Sequence, residues 1–242
     1  MEAIKTVHLS KFYRDIRAVD DLNLSVEQGE LFSLLGINGA GKTTTIRMLS
    51  CLTAPSAGDA FVEGCSILHQ PDGVKEVIAV SPQETAIAPN LTVQENLELI
   101  CGIHGYSKEK RTERIQALAS QFHLESILTK KADKLSGGWQ RRVSIAMALI
   151  SKPKVLFLDE PTLGLDVLAR SELWDIIRSL KGSTTIILTT HYMEEAEALS
   201  DRIGIMKEGK LLFTGTSAEL MLKTGTDRFE TAFITLVREV QA

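Results

Sequence analysis

Gly36-Ile-Asn-Gly-Ala-Gly-Lys42-Thr43 satisfies the pattern G-x-x-x-x-G-K-[ST]; it stands directly after the apolar run Leu31 to Leu35 and before the helix-like stretch Thr44 to Ser50. A strand, a glycine loop and a helix in that order build a phosphate cradle. The glycines let successive backbone N–H groups face one way, and the helix start adds its positive dipole end. Asn38, Gly39, Ala40, Gly41, Lys42, Thr43 and Thr44 are therefore the candidate nucleotide-binding set, with Lys42 reaching the β- and γ-phosphates and the Thr43 hydroxyl serving Mg²⁺. Phosphoryl transfer to water also needs a carboxylate for the metal and a base. Val155-Leu-Phe-Leu-Asp159-Glu160 offers both at the end of an apolar run, Asp159 as candidate metal ligand and Glu160 as candidate base. Side-chain alternation along an extended chain predicts that Glu160 points away from Asp159, toward the attacking water.

Between these halves lies Leu135-Ser136-Gly137-Gly138-Trp139-Gln140, followed by a helical pattern with Val143, Ala146, Met147 and Ile150 on one face. Ser136 at the N-cap position, with two glycines behind it, makes a second anion-binding helix start. One nucleotide does not need two such cradles within one small protomer. Ser136, Gly137 and Gly138 are therefore expected to address a nucleotide held by a second copy.

The elements that must hold these residues are those of a mixed α/β chain. Runs with β character occur at Thr6 to Leu9, Leu22 to Val26, Leu31 to Leu35, Ala60 to Val62, Ile78 to Ser81, Val155 to Leu158, Thr184 to Thr189, Ile203 to Met206 and Leu211 to Phe213. The early runs suggest antiparallel pairing, whereas Leu31 to Leu35, Val155 to Leu158 and Ile186 to Leu188 are continuous apolar runs expected of buried parallel strands. From about Leu91 to Ile150 helical signals take over, starting at a capping box, Thr92-Val-Gln-Glu95. Its run Lys108 to Arg114 mixes charges as a solvated helix face does. Phe229, Ala232, Phe233, Leu236, Val237 and Val240 predict an amphipathic helix over Asp227 to Val240, with Asp227 as N-cap and its own domain as the default partner.

The 242 residues carry 27 Lys and Arg against 31 Asp and Glu, a net charge of −4, which argues against a dedicated nucleic-acid binder. No apolar run approaches the ~18 to 20 residues of a membrane span, and no secretory leader pattern opens the sequence, so a cytosolic location is expected. Three cysteines without C-x-x-C spacing predict neither a disulfide framework nor a zinc site.

Gln83 in Ser-Pro-Gln-Glu, Gly164-Leu165-Asp166 and His191 in Thr-Thr-His-Tyr complete an ordered series. With them the sequence resembles the ATP-binding subunit of ABC transporters over essentially the whole chain. The resemblance implies a P-loop core with a mixed, largely parallel sheet and an antiparallel β part (about 1–85 and 151–225), an inserted helical subdomain (about 86–150) and a C-terminal helix (about 227–241). It also implies that Tyr13, or its neighbour Phe12, stacks on adenine with Val19 beside it. Gln83 then senses Mg²⁺ and the γ-phosphate, His191 contacts the γ-phosphate and orients the water, and the Asp166 loop couples two sites. The metal set is Thr43, Gln83 and Asp159, and the catalytic set Glu160, His191 and Lys42. One departure is Trp139, where the family commonly has Gln; its i+4 and i+8 partners Val143 and Met147 suggest packing on the helical stripe.

Thr-His-Tyr-Met-Glu-Glu-Ala-Glu and Leu-Thr-Val-Gln-Glu-Asn resemble the drug- and antibiotic-exporting branch. The resemblance implies ATP-driven closure of a homodimer or heterodimer, on the cytoplasmic face of the membrane, powering export through a separate membrane subunit. A soluble ATPase of the same type, uncoupled from transport, is the alternative; a metabolite kinase would need an acceptor site and no Ser-Gly-Gly helix.

Overall fold

A computed structural model describes residues 1–239 of the chain. Strands β1 (Glu2–Tyr13), β2 (Ile16–Leu22), β3 (Ser25–Glu27) and β4 (Leu31–Leu35) lead to helix α1 (Lys42–Leu49), then β5 (Ala57–Val62), β6 (Cys65–Ser66), α2 (Pro71–Val77) and β7 (Ile78–Ser81). Helices α3 (Val93–Ile103), α4 (Lys108–Gln121) and α5 (Gly137–Leu149) follow without a strand between them. The chain then runs through β8 (Val155–Asp159), α6 (Val167–Ser179), β9 (Thr185–Thr190), α7 (Met193–Leu199), β10 (Arg202–Lys207), β11 (Lys210–Gly215), α8 (Ser217–Thr224) and α9 (Phe229–Glu239).

Two sheets result. The first is antiparallel, with order β2-β1-β5-β6 and β3 on β1. The second has order β11-β10-β4-β9-β8-β7, parallel from β10 to β7, with β11 as an antiparallel edge. Every residue of β4 and β8 is buried, as continuous apolar strands covered on both faces must be. Burying one Leu or Phe this thoroughly contributes about 1.5–3 kcal/mol. Fully buried Leu34 and Phe157 serve the core under the antiparallel sheet, while Leu31 and Leu158 serve the core shared with the helices.

The expected strand over Leu22 to Val26 divides, because Asn23 and Leu24 separate the end of β2 from β3. Thr92 and Glu95 form the expected capping box, worth ~1 kcal/mol in such settings. The charged start of α4 is not wholly solvated. Arg114 bends inward and donates to the carbonyls of Leu149 and Ile150, where the Tyr106 hydroxyl joins it at 2.9 Å.

Helix α9 packs on its own chain. Phe229, Ala232, Phe233 and Leu236 are buried against Leu35, Ile203, Ile205 and Leu220. Asp227 is not its cap: the helix begins at Phe229, and its first bond runs from the Ala232 N–H to the Arg228 carbonyl. Val240 and residue 241 of the expected helix lie outside the described residues.

Candidate functional site

The parallel strands β4, β9, β8 and β7 lie side by side, so the segments leaving their carboxyl ends share one edge of the sheet. These are the glycine loop after β4, His191 after β9, Asp159 and Glu160 at the end of β8, and Gln83 after β7. They open on a cavity of about 550 Å³, walled by Tyr13, Asn38 to Thr44, Gln83, Glu160, Leu163 and His191, with Ile16, Arg17 and Ala18 beside the ring.

Gly41 caps α1 at φ 105°, a left-handed conformation that glycine tolerates. It also has no room for a side chain, since a Cβ would stand 2.4 Å from the Ala18 carbonyl oxygen. Lys42, 4% exposed, donates to the carbonyls of Gly36 (2.7 Å) and Ile37 (3.2 Å), and lies 3.5 Å from Glu160 Oε1. Burial pulls its ammonium below the ordinary lysine value, and the Glu160 carboxylate offsets part of that pull.

Asp159 Oδ1 accepts from the Thr43 hydroxyl at 3.1 Å and from the Thr189 hydroxyl at 2.5 Å. Glu160 enters the cavity for a different reason than strand alternation. The strand ends at Asp159, and Glu160 adopts φ +46°, its N–H bonding the Thr189 carbonyl and hydroxyl at 3.1 Å each. A non-glycine residue held in this region stores backbone strain, which places its carboxylate by construction. Glu160 Oε2 lies 3.0 Å from His191 Nδ1, so one carboxylate bridges the lysine of one loop and the histidine of another.

Tyr13 is 43% exposed on the cavity wall, whereas Phe12 carries the Arg17 guanidinium 5.6 Å from its ring centre. Val19, expected beside the base, is not on that wall: it is fully buried in the core beneath the glycine loop, and in that stretch Ile16, Arg17 and Ala18 line the cavity instead. Ser136, Gly138 and Asp166 do not line the cavity either. Ser136 is exposed at the N-cap of α5 without a side-chain capping bond, and Asp166 caps α6 by accepting from the Ala169 N–H at 2.9 Å. A Cβ on Gly138 would meet the Ala169 Cβ at 2.9 Å, so a small residue is required where α5 and α6 approach. Trp139 packs on the helical core, with Arg142 4.6 Å from its ring centre and paired in turn to Glu172.

Thr189, Thr190 and Glu195 lie in the quoted stretches around His191 but are not among the expected site residues: Thr189 bonds Asp159 and Glu160 at the polar end of β9, and Glu195 lies on α7. Glu195 is fully buried on α7, taking the Trp174 indole N–H at 3.1 Å, and its second oxygen has no hydrogen-bond partner among the described residues. Burial raises its carboxyl above the ordinary value, against the opposing pull of Thr190, Thr162, Trp174 and Arg170. The folded state thus holds this proton more tightly than the unfolded one. That contribution is full below the unfolded carboxylate value and is lost as pH rises through the folded value. Glu195→Gln keeps an acceptor for Trp174 and has no proton to lose. Its melting temperature relative to the parent is therefore expected to climb as pH rises above the ordinary carboxylate range, as the parent's raised carboxyl loses its proton; parallel pH curves would contradict this.

The donor set also bears on a metal. Asp159 and Thr43 offer a carboxylate and a hydroxyl 3.1 Å apart, hard oxygens suited to Mg²⁺. Among the described residues no group of three His, Cys, Asp or Glu could hold a metal, so ligands beyond Asp159, Thr43 and the Gln83 amide on the cavity wall would come from substrate phosphates and water.

Comparison with known proteins agrees with this fold. The daunorubicin/doxorubicin resistance ATP-binding protein DrrA of Streptomyces peucetius is 42% identical over 226 residues, which make up 93% of this chain and 68% of that protein. A solved ATP binding subunit of an ABC transporter superposes with a TM-score of 0.86 at 28% identity, covering 97% of this chain and 99% of that one. The dimeric post-hydrolysis ATP-binding cassette MJ0796 bound to ADP and Pi gives a TM-score of 0.78 at 28% identity, over 88% and 98%. Residues 19–163, which carry the glycine loop, Gln83, the Ser136 helix start and the Asp159-Glu160 pair, match the ABC transporter family, and this chain belongs to it.

Proposed function

We propose that this chain is the ATP-hydrolysing subunit of an exporter, acting on the cytoplasmic face of a membrane through a separate membrane subunit. Membership of the family and the match to a drug-resistance ATP-binding protein support that reading. No helix among the described residues is long and apolar enough to cross a membrane, and in this reading the passage lies in a separate membrane subunit. The observation that carries the mechanism is the bridge from Lys42 through Glu160 to His191 on the cavity wall, with Ser136 exposed elsewhere.

In this reading the base stacks on Tyr13, and residues 38–44 hold the phosphates through backbone N–H groups, with Lys42 turning from the loop carbonyls to the β- and γ-phosphates. Thr43, Asp159 and Gln83 would hold Mg²⁺, which supplies charge neutralisation on the phosphate oxygens. Glu160 accepts a proton from water as the water oxygen bonds to the γ-phosphorus and the bond to the β,γ-bridging oxygen breaks, leaving ADP and phosphate. His191 orients the water and the γ-phosphate. Ser136 and Gly138 of a second ATP-binding subunit, identical or related, close the site at the start of α5, and the Asp166 loops couple the two sites. The helical segment at about 86–150 forms a subdomain that carries this surface against a core of about 1–85 and 151–225.

Purification of the tagged protein from native membranes in mild detergent tests the assignment. A polytopic membrane protein is expected in near-equal amount. Recovery with soluble companions only would favour the uncoupled ATPase instead.

A further inference from the structure

Gln83 is exposed on an irregular segment, residues 82–91, which joins β7 to the helices. The segment is held at both ends by helical residues. At its far end fully buried Asn96 accepts from the Ala88 N–H at 2.7 Å and donates to the carbonyls of Ala88 (3.1 Å) and Thr92 (2.9 Å). At its near end Arg141, on α5, donates to the carbonyls of Pro82 (2.6 Å) and Gln83. Ser144, one turn further on the same helix, meets the Ser81 hydroxyl at 3.2 Å. One face of α5 thus grips Ser81, Pro82 and Gln83 in succession.

Arg141 is 4% exposed, and its side chain makes no ion pair among the described residues. A buried guanidinium satisfied by main-chain carbonyls is a costly way to fill space, and an apolar side chain of similar length would pack more cheaply. Its planar fork does what packing cannot: two donors in fixed geometry lock two successive carbonyls to the helix. The helix so locked is the one that begins at Ser136, five residues before Arg141.

We propose that Arg141 is a positioning residue for ATP hydrolysis that acts through Gln83. It makes the placement of the Ser136 helix start and the placement of Gln83 at the cavity a single movement. The inference rests on the reading of Gln83 as a nucleotide-facing and Mg²⁺-facing residue.

The test is a double-mutant cycle on the purified full chain, with ATPase rate, ATP KM, Mg²⁺ half-activation and melting temperature as readouts. Arg141→Met is expected to lower kcat about tenfold and raise the Mg²⁺ requirement, with ATP KM changed less than about twofold. In the Gln83→Ala background the same substitution should lower kcat by less than about twofold, while its effect on melting temperature is the same as in the parent background. Losses that multiply would overturn the inference, because Arg141 would then act on hydrolysis by another route. An Arg141→Met protein with the parent's kcat and Mg²⁺ dependence would also overturn it. If Gln83→Ala alone matches the parent, the reading of Gln83 fails and takes the inference with it, a result distinguishable from the other two. Should Arg141→Met not fold, Arg141→Lys carries the same cycle, since it retains the buried charge without the planar fork.

Discussion

Glu160→Gln is expected to reduce ATP turnover by about three orders of magnitude while nucleotide binding survives, because the amide fills the same space and has no basic oxygen to accept a proton. The left-handed backbone at Glu160 and its two bonds to Thr189 remain available to glutamine, so the side chain stays at the cavity. The contact with His191 Nδ1 also remains possible through either end of the amide. What disappears is the negative charge facing Lys42 at 3.5 Å, which frees the ammonium for phosphate. ATP affinity should therefore hold or tighten as kcat collapses, a split that separates loss of the base from loss of the site. Equilibrium binding of a fluorescent ATP analogue, read beside single-turnover hydrolysis, checks both halves. Turnover at the parent rate would remove Glu160 from the role of base.

Ser136→Arg carries the second largest effect, for a different reason. Ser136 touches nothing that its own fold needs: it is exposed, makes no side-chain capping bond, and does not line the cavity of its own chain. Its substitution should leave the melting temperature and the ATP affinity close to the parent values. The guanidinium would occupy the place where a second subunit brings its phosphates to the start of α5, and hydrolysis should fall about a hundredfold or more. The parent's specific activity should rise with protein concentration as dimers form, and the variant's should not. A variant that is fully active at every concentration would mean that each chain hydrolyses ATP alone.

The glycine loop and the Asp159-Glu160 pair were legible because each sits where an apolar run stops, and β4 and β7 have the bounds that their runs predict. The same logic passes over β2, whose Arg17, Asp20 and Asp21 interrupt any apolar signal, and α2, whose Pro71-Asp-Gly start reads as a turn. Val19 lay in the right stretch, but which face of β2 meets the cavity is set by pairing with β1, and that turns Val19 inward. Strand alternation predicts that Glu160 points away from Asp159, but it is the left-handed backbone just after the strand that turns it to the cavity wall. The burial of Arg141 and Glu195 carries no sequence signal. A charged residue on a helix reads as solvated until tertiary packing closes over it, and both are buried by neighbours far away in sequence.

The claim on which the rest depends is that the site is completed by Ser136 of a second copy. Light scattering of the Glu160→Gln protein with MgATP measures it directly. The account predicts a doubling of molar mass on adding ATP, reversed by adding Ser136→Arg to the same chain. A molar mass that stays monomeric while ATP is bound, or a dimer indifferent to Ser136, would contradict it.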